Sequence, residues 1–157
     1  HVYAWGRQVL MESPKRFRRL WPARPRRVPN LSNVSMCTAT SSTSVALHND
    51  GTVTTWNTTA SFDSDDEYGA FHHFGLPSGE PIVDVQGGLD YVVALDASNN
   101  AWVWSSKQEQ AAEPGHSARS KPEPRRLNTA GQVQWIAAGP GAFFIFDRGS
   151  ETNVLSA

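Results

Sequence analysis

The sequence predicts an all-β repeat protein, and three observations carry that reading. Tryptophans recur at Trp5, Trp56 and Trp104, at separations of 51 and 48 residues. The string Val45-Ala46-Leu47 returns 48 residues later as Val93-Ala94-Leu95. Pro25-Arg26-Arg27-Val28 returns as Pro124-Arg125-Arg126-Leu127, two periods on, with Pro81-Ile82-Val83 between them. One shared spacing is coincidence, but three registers with one period mark internal repetition. No segment keeps a 3.6-residue apolar period over several turns, so helices are not expected.

Each unit resolves into short strands separated by turn chemistry. Val45-Ala46-Leu47 leads through His48-Asn49-Asp50-Gly51 into Thr52-Val53-Thr54-Thr55-Trp56. Asp-Gly between two β-prone runs is a hairpin signal, because the tight turn needs a positive φ that glycine adopts without a Cβ clash. The next unit places Asp96-Ala97-Ser98-Asn99-Asn100 between Val92-Val93-Ala94-Leu95 and Ala101-Trp102-Val103-Trp104, and asparagine there takes the same left-handed position. A further strand precedes each hairpin at Val34–Cys37, Ile82–Val85 and Val133–Ile136. The last unit continues through Phe143–Phe146 to Asp147-Arg148-Gly149. The stretches 7–24, 57–80 and 105–123 are rich in Pro, Ser, Gly and charge and read as irregular loops. All three begin just after a tryptophan position, so they are expected to emerge from one face of the assembly.

A period near 50 with several short strands matches a β-propeller blade of about four strands. The segment Val-Ala-Leu-His-Asn-Asp-Gly-Thr-Val-Thr-Thr-Trp at 45–56, with Val-Tyr-Ala-Trp-Gly at 2–6 and Ile-Ala-Ala-Gly at 136–139, resembles the repeats of the regulator of chromosome condensation 1 (RCC1) family. The resemblance runs over residues 1–157 as one repeat region of about three units, 1–56, 57–104 and 105–157. Its anchors are Trp5, Gly6, Gly51, Trp56, Gly88, Trp104 and Gly139. The resemblance implies a partial propeller of about three four-stranded antiparallel blades, part of a seven-bladed ring. The chain departs from the family pattern at Thr40 (Gly in the pattern), at Thr43, Tyr91 and Ala142 (His), and at Asn57 and Ser105 (Gly). The Gly-Gln-Leu-Gly loop is replaced throughout by the long insertions. These departures fall on turns and on contacts between blades rather than on strand cores. Three units do not close a ring of the usual size, and His1 stands where an initiator Met would, so a segment of a longer polypeptide is expected.

Composition narrows the function classes. With 39% hydrophobic residues, six Trp and seven Phe in 157 residues, the chain has enough apolar material for a packed core. No apolar run approaches the roughly 18–20 residues of a membrane span, so no membrane association is expected. The single cysteine, Cys37, excludes an internal disulfide framework and a Cys-rich zinc site. One cysteine and no secretory signal fit an intracellular protein, cytoplasmic or nuclear. The net charge of −1 conceals a partition. Residues 1–27 hold eight Lys and Arg against one acid, whereas residues 28–106 hold nine acids and no Lys or Arg. Such asymmetry argues about association rather than fold.

The basic stretch is the leading candidate for a partner contact, through Arg16, Arg18, Arg19, Arg24, Arg26 and Arg27. Guanidinium groups suit bidentate contact with carboxylate or phosphate, and Phe17 and Trp21 are interleaved for stacking. An acidic protein partner, nucleic-acid phosphates, a nuclear import signal, or a solvated loop balancing the acidic middle of the chain all fit this composition. Asp63-Ser64-Asp65-Asp66-Glu67 with His72-His73 invites a metal, but Tyr68 stands where a calcium loop needs glycine. Adjacent histidines on an extended chain also point to opposite sides, so a solvated acidic loop is the reading. Cys37 lies in an apolar strand context and is expected to be a buried small hydrophobe. The tryptophans read as packing residues between blades. Asn30, Asn33 and Asn57 are formal glycosylation acceptors. No phosphate loop, nucleophile elbow or Cys/His zinc spacing occurs, so neither a catalytic group nor a cofactor is expected.

The reading that follows is a non-enzymatic scaffold for protein–protein interaction. The resemblance also implies guanine nucleotide exchange on a Ran-like small GTPase, chromatin attachment, or substrate selection beside a ubiquitin-ligase motif. DNA binding through residues 15–27 is a third reading.

Overall fold

Every regular element that the structure, a computed structural model, describes is a β-strand. It describes residues 1–4, 25–57, 71–106, 122–129, 131–147 and 153–156. Sheet I pairs β1 (Tyr3–Ala4) with β2 (Arg26–Arg27). Sheet II orders β3 (Val34–Ala39), β4 (Thr43–His48), β5 (Val53–Asn57) and β6 (His72–Phe74). Sheet III orders β7 (Ile82–Gly87), β8 (Tyr91–Asp96), β9 (Ala101–Ser105) and β10 (Arg125–Arg126). Sheet IV holds β11 (Val133–Ala138), β12 (Ala142–Asp147) and β13 (Asn153–Ser156). All pairings are antiparallel.

The repeat seen in the sequence is a repeat of register. Trp56 lies opposite Ser44, and Trp104 lies opposite Val92, the same cross-strand site one period on. The first strands of sheets II, III and IV each carry an irregularity at the same place, between Val34 and Met36, Ile82 and Asp84, and Val133 and Trp135. The hairpins also match. His48 N–H donates to Thr52 O and Asp96 N–H to Asn100 O, while Gly51 (φ 80°) and Asn99 (φ 62°) hold the left-handed turn position.

The sheets stack face to face, with β7 against β3 and β4, and β11 against β7 and β8. The second strand of sheet III is therefore covered on both sides, which explains why β8 is a continuous buried run rather than an alternating one. Its Val92 and Ala94 join Trp102 and Trp104 against Val45, Leu47, Val53 and Phe74 of sheet II. Its Tyr91, Val93 and Leu95 face Val133, Ile136, Phe143 and Ile145 of sheet IV. Val28, Leu31, Ala46 and Trp56 form the core between sheets I and II. Among the described residues the stack is an open arc and does not close on itself.

Backbone and side-chain hydrogen bonds seal the seams. Ile82 N–H donates to Gly51 O and Val133 N–H to Asn99 O, both at 2.9 Å, so each hairpin turn is tied to the first strand of the next sheet. Tyr91 OH donates to Gly139 O at 2.7 Å, and Thr43 Oγ1 to Ser106 O at 3.1 Å, from the positions where the family pattern carries histidine. Gly88 is required by close approach, since a Cβ there would lie 2.2 Å from the Tyr91 ring.

Three sequence expectations need correction. Residues 72–74, assigned to an irregular loop, form β6, and Arg26 and Arg27, assigned to a basic loop, form β2. Consequently the counterpart of Pro25-Arg26-Arg27 in sheet II is the His72-His73 strand, not Pro81-Ile82-Val83, which begins sheet III. Sheets II and III take their fourth strand from beyond the insertion, so their boundaries are offset from units that end at tryptophan. Cys37 is exposed rather than buried, because β3 is an edge strand and Cys37 lies on its open surface.

Candidate interaction surface and inter-sheet cleft

The long connections follow one rule. Residues between β1 and β2, between β5 and β6, and between β9 and β10 all join a third strand to a fourth. They therefore leave from the same end of their sheets, as the spacing of the tryptophans implied. Of the residues singled out in the sequence, Trp5, Gly6, Arg16, Arg18, Arg19, Arg24 and the acidic run 63–67 lie outside the described residues.

Where each connection re-enters its sheet, the fourth strand begins with a basic pair. Arg27, His73 and Arg126 lie opposite Tyr3, Thr54 and Trp102, and Arg26, His72 and Arg125 lie opposite Ala4, Thr55 and Val103. Relative to the tryptophan period these are the same two positions in three successive sheets. Arg27, His73, Arg125 and Arg126 are exposed. The Arg126 guanidinium donates to the Asn100 side-chain oxygen. His72 and His73 fall on opposite faces of β6, as an extended dipeptide demands. Among the described residues no three His, Cys, Asp or Glu side chains lie together as a metal site would need.

β6 and β10 are edge strands of their sheets, opposite the edges that meet the neighbouring sheet. Charge on an edge strand discourages uncontrolled strand pairing, and this accounts for part of the basic composition there. In the same row the Arg27, His73, Arg125 and Arg126 side chains are exposed.

A second feature escaped the sequence reading. Between the 30–33 segment and sheet II lies an open cleft of about 760 Å³ lined by Thr54, His48, His73 and Phe71. Asn33, Asn49 and Asp50 line it as well. His48 Nδ1 lies 2.8 Å from Ser32 O, His48 Nε2 lies 2.7 Å from Thr54 Oγ1, and Thr54 Oγ1 lies 3.0 Å from His73 Nδ1. A carbonyl only accepts, so His48 Nδ1 carries the proton in its contact with Ser32 O. The two imidazoles meet edge to face at 5.3 Å. The Thr52 hydroxyl and then its amide hold the Asp50 carboxyl below the usual range, with His48 and His73 adding to the effect. The signal for this cleft was present in the 48-residue offset, which aligns Thr54 with Trp102, but it needed the strand register to be read.

At the equivalent place in sheet III, burial pushes the Asp96 carboxyl up, yet hydrogen bonds from Asn100 N–H, the Trp102 indole and the Asn100 side chain outweigh it and hold the group below the usual range. On β3, partial burial of the sulfur pushes the Cys37 thiol up, away from the thiolate a nucleophile needs.

No family profile and no curated protein matches the chain in sequence. Solved structures do match in fold. Human WBSCR16 superposes with a TM-score of 0.59 at 18% identity, covering 85% of this chain and 35% of that one. Yeast RCC1 (Prp20), in its complex with Kap60, gives 0.64 at 17% identity, covering 98% of this chain and 39% of that one. Prp20p from Saccharomyces cerevisiae, studied for its binding to Gsp1p and histones, gives 0.58 at 16% identity and 86% coverage of this chain. The chain thus spans between about a third and two fifths of the length of these proteins. It has the fold of RCC1-like β-propellers.

Proposed function

We propose that this chain is a protein-interaction module built from RCC1-like propeller repeats, and that it receives an acidic partner across the outer strands. The observation that carries the reading is the repeated basic pair at the foot of each long connection, Arg26-Arg27, His72-His73 and Arg125-Arg126. The exposed guanidinium groups of Arg27, Arg125 and Arg126, with the exposed His73 imidazole at the equivalent place in sheet II, complement a chain of carboxylates, and guanidinium groups bind carboxylate bidentately. The insertions at 5–24, 58–70 and 107–121 differ in sequence and, in this reading, set partner identity. The basic residues Arg16, Arg18, Arg19 and Arg24 extend the same charge in sequence. An intracellular location, cytoplasmic or nuclear, belongs to this reading.

The test is binding of a fluorescein-labelled glutamate-rich peptide by anisotropy, at low and at physiological salt. Wild type is expected to bind with salt-sensitive affinity, and Arg27→Glu/Arg125→Glu/Arg126→Glu is expected to lose it. Equal binding by the triple variant refutes the reading. Tighter and steeper salt-dependent binding to duplex DNA moves it to nucleic acid.

A second reading is guanine nucleotide exchange, supported by the fold shared with Prp20p, which binds Gsp1p. Exchange works by binding the nucleotide-free GTPase better than the loaded one. Accelerated release of labelled GDP from a Ran-type GTPase would replace the scaffold reading with this one.

A further inference from the structure

Three successive sheets fill one register position with a basic side chain, but not with the same kind of base. Arg27 lies opposite Tyr3, His73 opposite Thr54 and Arg126 opposite Trp102. Arginine keeps its charge at every pH of interest, whereas histidine gains or loses its charge between about pH 5 and 8. Sheet II is therefore the member of this row whose charge depends on pH.

We propose that His73 makes the basic row pH-graded, so that affinity for an acidic partner rises as pH falls from about 7.5 to about 5.5. The inference rests on the protein-interaction reading of the row and adds its regulation.

The local geometry lets the ring take up a proton without losing its anchor. His73 Nδ1 lies 3.0 Å from Thr54 Oγ1. A cationic imidazole donates from both nitrogens and a hydroxyl oxygen accepts. Protonation therefore keeps the Thr54 contact and leaves Nε2–H for a carboxylate of the partner. Few charged or titratable groups face this ring among the described residues. From β4, the His48 ring meets it edge to face at 5.3 Å, with its own nitrogens on Ser32 O and Thr54 Oγ1. From the turn after β4, Asp50 acts on both imidazoles. Neither β5 (Val53–Asn57) nor the 30–33 segment carries a titratable side chain. The connection before β6 holds Asp63, Asp65, Asp66 and Glu67 in sequence, outside the described residues. The Thr52 hydroxyl and amide hold the Asp50 carboxyl below the usual range, so Asp50 stays charged throughout this interval and does not supply the pH dependence. Its charge favours a proton on His73, and a charge on His48 would oppose it. Proton uptake is thus shared by a pair of rings, of which His73 is the exposed member. One exposed ion pair gained on protonation amounts to about two- to fivefold in affinity at low salt.

The experiment titrates the 157-residue chain with a rhodamine-labelled glutamate-rich peptide at low salt, at pH about 7.5 and about 5.5. Glutamate side chains, with an ordinary pKa of about 4.3, stay ionised at both. Wild type is expected to bind about two- to fivefold tighter at the lower pH. His73→Arg is expected to bind equally at both, at the strength wild type reaches in acid. His73→Gln is expected to bind equally at both, at the strength wild type shows near neutrality. Opposite set-points from two substitutions of one residue are not what a merely structural role produces. A second measurement needs no variant. By linkage, saturating peptide should raise the midpoint of the His73 ring titration, followed by imidazole NMR, by about 0.3–0.7 pH unit, the logarithm of the same ratio. Equal wild-type affinity at the two pH values, a pH dependence that survives in folded His73→Gln, or a midpoint unmoved by peptide overturns the proposal. Binding that ignores pH but is lost in Arg27→Glu/Arg125→Glu/Arg126→Glu sinks this inference and leaves the basic-row reading standing. Absence of binding at both pH values sinks the two together.

Discussion

Substituting alanine for Gly51 tests the seam between sheets II and III at its tightest point. Gly51 has φ of 80°, and a Cβ built there would lie 2.3 Å from Pro81 Cβ, 2.6 Å from Pro81 Cα and 2.9 Å from Ile82 N. Two of those atoms are backbone, so no side-chain rotation relieves the clash. Its carbonyl also accepts from Ile82 N–H at 2.9 Å, and displacement of the turn weakens that seam bond. The left-handed conformation costs alanine about 1–2 kcal/mol. Overpacking against fixed backbone adds about 1–3 kcal/mol. Gly51→Ala should therefore lose about 2–5 kcal/mol, out of a total stability of about 5–15 kcal/mol for a domain, measured by urea unfolding. Asn99→Gly is the matched control, because Asn99 holds the same turn position at φ 62° and gives the same seam bond to Val133. It should change stability by less than about 1 kcal/mol, since glycine accepts that φ at an entropic cost of similar size to the strain it removes. If Gly51→Ala unfolds within about 0.5 kcal/mol of wild type, the ordinary scatter of a surface change, the turn does not sit against Pro81 and the stacking described here is wrong.

Two further outcomes follow from the Asp96 site. Trp102→Phe keeps the ring in the core but removes the 2.8 Å indole donation to the buried Asp96 carboxylate, and should cost about 1–3 kcal/mol in chemical unfolding. Asp96 has a folded pKa below its unfolded one, so its contribution is complete above the unfolded value and is lost as pH falls through the folded value. Asp96→Asn should flatten the acid limb of the stability–pH curve below about pH 4, read from thermal midpoints across pH; an unchanged slope would show that the carboxyl is not held this way.

The strands that could be read from sequence were those with a repeated apolar signature and a turn at the end. Asp50-Gly51 and Asn99 announced two hairpins, and Val45-Ala46-Leu47 with its echo at Val93–Leu95 announced the strands covered on both faces. The tryptophan spacing carried the equivalence of β5 and β9, since Trp56 and Trp104 occupy one register position. The fourth strands were hidden for a physical reason. With two or three residues, such as His72–Phe74 and Arg125–Arg126, a strand has no room for alternation, and an exposed edge needs none. Cys37 misled because an apolar string on an edge strand does not guarantee cover on both faces. The cleft was hidden because His48, Thr54 and His73 come from three strands and meet only once the β4–β5 and β5–β6 registers are fixed.

The account depends on sheet III laying its tryptophan-bearing face on sheet II. The most direct measurement is the nuclear Overhauser contact of the Trp104 indole. Phe74 of sheet II and Trp104 of sheet III place their ring centroids 5.7 Å apart, nearly perpendicular, so cross-peaks between the two rings are predicted. A Trp104 indole that instead shows contacts to Phe143 and Ile145 of sheet IV, with none to Phe74, would contradict the stacking and with it the cleft and the outer row.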